Sequence, residues 1–192
     1  MKSTNTKFRT AGRSLLGTTV LVTGTALIMA ACSSAPPLPK VYSQDRLPQA
    51  VLVPAGHVVA YETRATGILN YECKPTATGP YGWVLVSPQA NLLDRAGKDV
   101  VAYSGPPATF KHIDGSSVVA TQIAVSPNGE YTLPLQLSTA QSTGSGELRN
   151  ISYVQRVNTK GGIEKTKPCA ALNTGEKLTL PYQADYIFWR QG

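Results

Sequence analysis

The stretch Gly67-Ile68-Leu69-Asn70-Tyr71-Glu72-Cys73 decides how this chain is built. Ile68, Asn70 and Glu72 fall on one face of an extended segment, and Leu69, Tyr71 and Cys73 on the other. That is the two-residue period of a half-buried β-strand. Runs of the same kind recur on both sides. Residues 57–63 precede it and residues 81–87 follow. Residues 90–93 and 99–103 flank Asp94-Arg95-Ala96-Gly97, a hairpin loop. Residues 108–113 and 116–125 flank Asp114-Gly115, the strongest hairpin signal in the chain. After the turn at Pro127-Asn128-Gly129, residues 130–137 are expected to form an edge strand or a bulge, because Pro134 cannot donate to a ladder. Residues 147–158 make the longest run, ended by Lys160-Gly161-Gly162. Residues 183–189 set Ala184, Tyr186 and Phe188 against Asp185, Ile187 and Trp189. Short helices have room only at 140–146 and 168–174. About ten strands divided by frequent turns give an all-β, single-domain antiparallel fold, either a β-sandwich or a β-barrel.

The 192 residues are 42% hydrophobic and 15% charged. They make one domain, too apolar for a disordered chain and too polar for a multi-span membrane protein. The net charge of +7 comes from 18 basic and 11 acidic residues. Lys2, Lys7, Arg9 and Arg13 lie before residue 31, where no acid occurs; without them fourteen bases face eleven acids, a balance of +3. The remainder has no basic stripe of the kind nucleic-acid domains carry, so no nucleic-acid partner is expected.

Residues 1–31 have a basic start, an uncharged middle and the small pair Ala30-Ala31, the layout of a secretory signal peptide that is removed. The middle holds Gly17, Thr18, Thr19, Thr23, Gly24 and Thr25, which argues against a retained membrane helix. The sequence Leu27-Ile28-Met29-Ala30-Ala31-Cys32 resembles the lipobox of bacterial lipoproteins. The resemblance implies cleavage before Cys32 and lipid (palmitate among its acyl chains) on its thiol, hence a membrane partner. Ser33, where an Asp would favour inner-membrane retention, implies the outer membrane of the cell envelope. Residues 32–50 carry Pro36, Pro37, Pro39 and Pro48 and are expected to be an extended tether. Residues 51–192 then form the β domain.

With Cys32 lipidated, Cys73 and Cys169 remain, and in an oxidising compartment they can make one intrachain disulfide. It would close a loop of nearly a hundred residues, for which chain entropy gives about 4–5 kcal/mol. No Cys-x-x-Cys and no close His or Cys spacing suggests a metal or redox pair.

The chain has no glycine-rich phosphate loop; the only Gly-x-Gly is Gly144-Ser145-Gly146, in a polar loop, so no nucleotide cofactor is expected. Of the two His, His57 reads as an edge residue. The segment His112-Ile113-Asp114-Gly115-Ser116 contains the residue types of a hydrolytic triad, but in one tight turn, and triads are assembled from separated segments. A hairpin turn is the preferred reading. A hydrolase using His112 and Asp114, with or without metal, is the alternative. The acids are scattered, and Glu62 and Glu72 read as cross-strand neighbours on solvated faces. Arg156 lies in the apolar run 151–157 and needs a partner: Asp114, Asp185 or a ligand anion, with the structural pair preferred. Tyr103, Gly105, Pro106, His112, Asp114 and Arg156 form the candidate binding surface. Its ligand would be a glycan, a small molecule or an envelope protein.

Several pieces occur together: Tyr71-Glu72-Cys73; Trp83 with Ser87-Pro88; Gly105-Pro106; Asp114-Gly115-Ser116; Gln155-Arg156-Val157-Asn158-Thr159 with Gly161-Gly162; Cys169; and Tyr182-Gln183-Ala184-Asp185-Tyr186. In this order they resemble the secreted bacterial and fungal family catalogued as domain of unknown function 3455, over about residues 51–189. The family's cysteine pair maps onto Cys73 and Cys169. The family usually has His where Tyr103 stands and Trp where Phe110 stands, so a catalytic role for that His would not transfer. The resemblance implies no established activity. It leaves a lipid-anchored binding module as the first reading, with a hydrolase or a purely structural envelope protein as alternatives.

Overall fold

In the computed structural model, residues 42–192 are described and lie within one compact unit. The leader 1–31 and Cys32 fall outside the described residues. The strands are β1 (His57–Thr76), β2 (Gly79–Leu93), β3 (Asp99–Ser104), β4 (Ala108–His112), β5 (Ser117–Ser126), β6 (Leu135–Thr143), β7 (Ile151–Gly161) and β8 (Lys177–Gln191). Each pairs antiparallel with the next, and β8 returns to β1 along a register running from His57↔Gln191 to Glu72↔Lys177. The fold is therefore a closed eight-stranded barrel, in which every strand is paired on both sides over at least part of its length. Cys73 and Cys169 are bonded, with Cα atoms 5.6 Å apart.

Eight strands stand where about ten were expected. The runs 57–63 and 67–73 are one strand, as are 81–87 and 90–93. Gly67 joins the first pair because β1 and β2 touch there: a Cβ would lie 2.1 Å from the carbonyl of Gln89. Pro134 precedes β6 rather than interrupting it, and the segment before it reaches the end of β7 through the Thr132 bridge to Gly162 and the Leu133 amide, which donates to the carbonyl of Gly161 at 3.0 Å. Residues 147–150 are a turn before β7. Of the two places with room for a helix, 168–174 holds a 3-10 turn, Ala171–Asn173, while 140–143 finishes β6.

The opening alternation holds: Leu69, Tyr71 and Cys73 are buried and Ile68 is exposed. Following registers around the barrel places Tyr71, Ala90, Tyr103, Phe110, Val118, Val154, Tyr186 and Phe188 on the inner face. Eight strands leave a lumen that side chains can fill. Aromatic rings fill it here. Tyr103 stacks on Phe110 at 4.6 Å, and Phe110 meets Tyr186 and Phe188 edge-on at 5.1 and 5.3 Å.

A second core lies outside the wall. Leu135, Leu137, Val157, Ile187 and Trp189 face outward yet are buried, because residues 42–53 cross over them. This explains why β8 is buried on both faces. Val51 and Val53 are buried in the covering strap, each contributing about 1.5–3 kcal/mol. Gln155, fully buried on the outer face of β7, donates to the carbonyl of Val51 at 2.6 Å and accepts from the Tyr42 hydroxyl at 2.9 Å. Gln44 closes the strap on itself through both the N–H and the carbonyl of Val53. Residues 42–50, expected as tether, are thus packed on the barrel.

Candidate functional site

An up-and-down barrel has two ends. The β2–β3, β4–β5 and β6–β7 connections share one, where β1 also begins and β8 ends. The β1–β2, β3–β4, β5–β6 and β7–β8 connections share the other, with the disulfide. The six candidate residues divide between them. His112 and Asp114 are at the first end. Gly105 and Pro106 are in the β3–β4 turn at the second, and Tyr103 and Arg156 point into the lumen towards it. The sequence reading grouped them on one surface; strand direction separates them.

At the Asp114 end, one carboxylate organises the turn. Its Oδ1 accepts from the Ser116 amide at 2.8 Å and hydroxyl at 2.6 Å, and its Oδ2 accepts from the Glu147 amide at 2.8 Å. The Ser116 hydroxyl in turn accepts from the Leu148 amide at 3.2 Å. Gly146 has no side chain because a Cβ would lie 2.2 Å from Oδ2. These bonds, the Ser116 hydroxyl first, hold the Asp114 carboxyl well below the usual carboxylate range. Nδ1 of His112 lies 2.9 Å from Oδ2 and 3.2 Å from the Asp114 amide. A protonated Nδ1 donates to the carboxylate; a bare one accepts from the amide. The order is Ser–Asp–His, so the hydroxyl gives its proton direction to a carboxylate instead of a basic imidazole. A nucleophilic triad needs the reverse. His57, the other imidazole, packs edge-on to Tyr153 at 4.9 Å.

The disulfide end is different. Registers Gln136↔Arg156 and Arg156↔Tyr186 put Arg156 on the inner face. Neither acid proposed as its partner reaches it. Asp185, one residue along from Tyr186, faces outward, accepting from Asn158 at 2.7 Å and facing Arg64 at 3.7 Å. Asp114 is at the far end. Arg156 instead donates through Nε and Nη2 to the carbonyl of Pro134, at 3.3 and 3.1 Å. Among the described residues no carboxylate lies within 4.0 Å of it and Nη1 has no bonding partner.

Arg156 shares a cavity of ≈10 Å³, room for about one water, with Tyr103, Phe110, Gln136, Ser138 and Tyr186. The hydroxyls of Tyr182 and Tyr186 are 3.3 Å apart, and that of Tyr71 donates to the carbonyl of Gly162 at 2.6 Å. Burial pushes the Tyr103 and Tyr182 phenols far above their ordinary range, with neighbouring Tyr186 adding to it. Gln136, Ser138, Tyr182 and Tyr186 were not among the candidates. Gln136 and Ser138 had only even spacing on a strand as a signal, which core residues share; Tyr182 and Tyr186 stood in the segment that carries the family resemblance but were not assigned to a site. Glu62 and Glu72 lie on the same strand, and Glu62 pairs with Arg95 at 2.6 Å. Among the described residues no three His, Cys, Asp or Glu side chains converge as a metal cluster.

The wall is also incomplete here. β3 and β4 have six and five residues, between a β2 of fifteen and a β5 of ten. Pairing of β2 with β3 starts only at Gln89↔Ser104, and pairing of β4 with β5 stops at Ala108↔Ala120. Residues 79–88 and 121–126 therefore flank a notch.

Fold and site together define a disulfide-closed meander barrel with a filled lumen and an Arg–Tyr mouth. The family model described as protein of unknown function, DUF3455, matches residues 54–190, and the chain belongs to that family. No curated protein and no solved structure matches it.

Proposed function

We propose that this chain is a binding module of the bacterial cell envelope, carried on lipid at Cys32, and that it takes its ligand at the notch of the disulfide end. The lipobox-like segment before Cys32 and the single disulfide support the location. The observation that carries the binding site is Arg156: an inner-face guanidinium whose only acceptor among the described residues is one backbone carbonyl. Arg156 is half-buried, and its Nη1 is open to solvent and so available to an anion. The Asp114 end offers no comparable vacancy of partners, since both carboxylate oxygens bond within the turn. The alternative hydrolase would rest on the His112–Asp114 pair, 2.9 Å apart, without Ser116 as its nucleophile, because the Ser116 hydroxyl bonds to Asp114 and not to His112.

The test is native mass spectrometry on protein purified from envelope extract, wild type beside Arg156→Met. A bound small molecule lost on substitution, with melting temperature retained, supports the site. Protein that carries nothing, or a molecule retained by the variant, overturns it. Palmitate labelling that survives Cys32→Ala would overturn the anchor separately.

A further inference from the structure

Resting on that reading, we infer that the ligand is a monoanionic amphiphile, its carboxylate-like head on Arg156 and its apolar body along the inner faces of β2 and β5 bordering the notch. The argument begins with side chains that are exposed where a closed barrel would bury them. Leu85 pairs in register with Tyr71, a core residue, and so shares its inner face. Val125 pairs with Gln136, which pairs with Arg156. Both therefore face the lumen side, yet they are 44% and 43% exposed. The short β3–β4 hairpin does not cover them. Trp83, paired with Cys73, lies farther along the same face of β2 and is half-buried.

Charge fixes the other half of the ligand. Arg156 stands on the same face, with Tyr103 and Tyr186 lining the same cavity and, among the described residues, no carboxylate within 4.0 Å. The acids of the adjoining loops are already engaged: Glu130 with Lys165, Glu164 with Thr166 and Lys167, Glu176 with Asn173 and Lys167. A guanidinium offers paired N–H groups that suit a carboxylate. One cation balances one negative charge, so a monoanion fits where a doubly charged phosphate would be half-compensated. The cavity beside Arg156 admits about one water-sized group. A head oxygen can enter; a chain cannot, and must lie outside against Leu85 and Val125.

The experiment uses the full chain carrying Cys32→Ala, titrated by calorimetry with dodecanoate below its micelle concentration. Dodecanol, dodecyltrimethylammonium and acetate are the comparison probes. Dodecanoate is expected to bind about tenfold or more tighter than the alcohol or the cation, and acetate alone not measurably. Arg156→Met and, separately, Leu85→Gln should each weaken dodecanoate about tenfold. Leu85 is exposed, so that variant tests the site even if Arg156→Met fails to fold. Equal binding of dodecanol and dodecanoate, or full affinity in Leu85→Gln, overturns the inference. If these probes fail while the envelope extract still yields a molecule dependent on Arg156, the binding reading stands and only the ligand class falls. If both fail, the notch is no site.

Discussion

The two ends of this barrel handle polar groups in opposite ways. At one, Asp114 uses both carboxylate oxygens on amides and a hydroxyl of its own loops. At the other, Arg156 sits among tyrosines with a single carbonyl. The first arrangement has its bonding capacity used within the fold; the second leaves Nη1 of Arg156 open to solvent. Residue type alone would have ranked them the other way, since His, Asp and Ser look catalytic and an Arg in an apolar run looks structural. What separates scaffold from site is whether the bonding capacity is already used.

The comparison can be broken most forcefully at the cross-link. Replacing Cys73 and Cys169 together by Ser should cost about 4–5 kcal/mol in urea unfolding, as expected for a closed loop of this length. Hydrogen exchange should show the disulfide end losing protection while the Asp114 turn keeps it. Equal loss at both ends would mean that they do not behave as separate regions. Next in size is Gly146→Val. The added side chain must displace Asp114, and a drop of about 1–3 kcal/mol, read by thermal or urea melting, is expected from the overpacking.

The pH response should then tell the ends apart. The Asp114 carboxyl has a lowered folded value, so its stabilising effect is complete above the ordinary aspartate range near 3.9 and is lost as pH falls through the folded value. Tyr103 and Tyr182 are raised, so theirs is complete below about pH 10 and declines as pH rises further. Acid should loosen the Asp114 turn and also the β7–β8 connection, where the Glu164 and Glu176 carboxyls are lowered by their own hydrogen bonds, while alkali should loosen the Arg–Tyr mouth. NMR followed at each extreme checks this, and Asp114→Asn should remove the acid response of its own turn and leave that of the β7–β8 connection. The smallest effect expected is Arg156→Met, within about 1 kcal/mol of neutral, because it removes a charge with little compensation. A large destabilisation in that variant would make Arg156 a structural residue and erase the contrast.

Much of the wall was legible. The face of Leu69, Tyr71 and Cys73, the Asp114-Gly115 hairpin and the cysteine pair all follow from local pattern or counting. Closure was not, because the pairing of β1 with β8 joins residues over a hundred positions apart and leaves no mark on either strand alone. Strand lengths were less legible, because residues 81–87 and 90–93 read as two runs, on either side of Pro88. It is tolerated because it stands just beyond the start of β3 pairing, where β2 has a neighbour on one side only. The candidate site was half legible: Tyr103 and Arg156 share a cavity, but His112 and Asp114 are carried away from them by the direction of the strands.

The strap of residues 42–53 has a practical consequence for anyone excising this domain. The family match starts at residue 54, and a fragment trimmed there would leave behind Val51 and Val53. Leu135, Val157, Ile187 and Trp189 would become a greasy stripe open to water, and the side-chain amide of Gln155 would lose the acceptors it has on Val51 and Gln44. Such a piece would invite self-association through a surface the intact protein never shows, so the unit that folds begins before the unit that sequence comparison delimits.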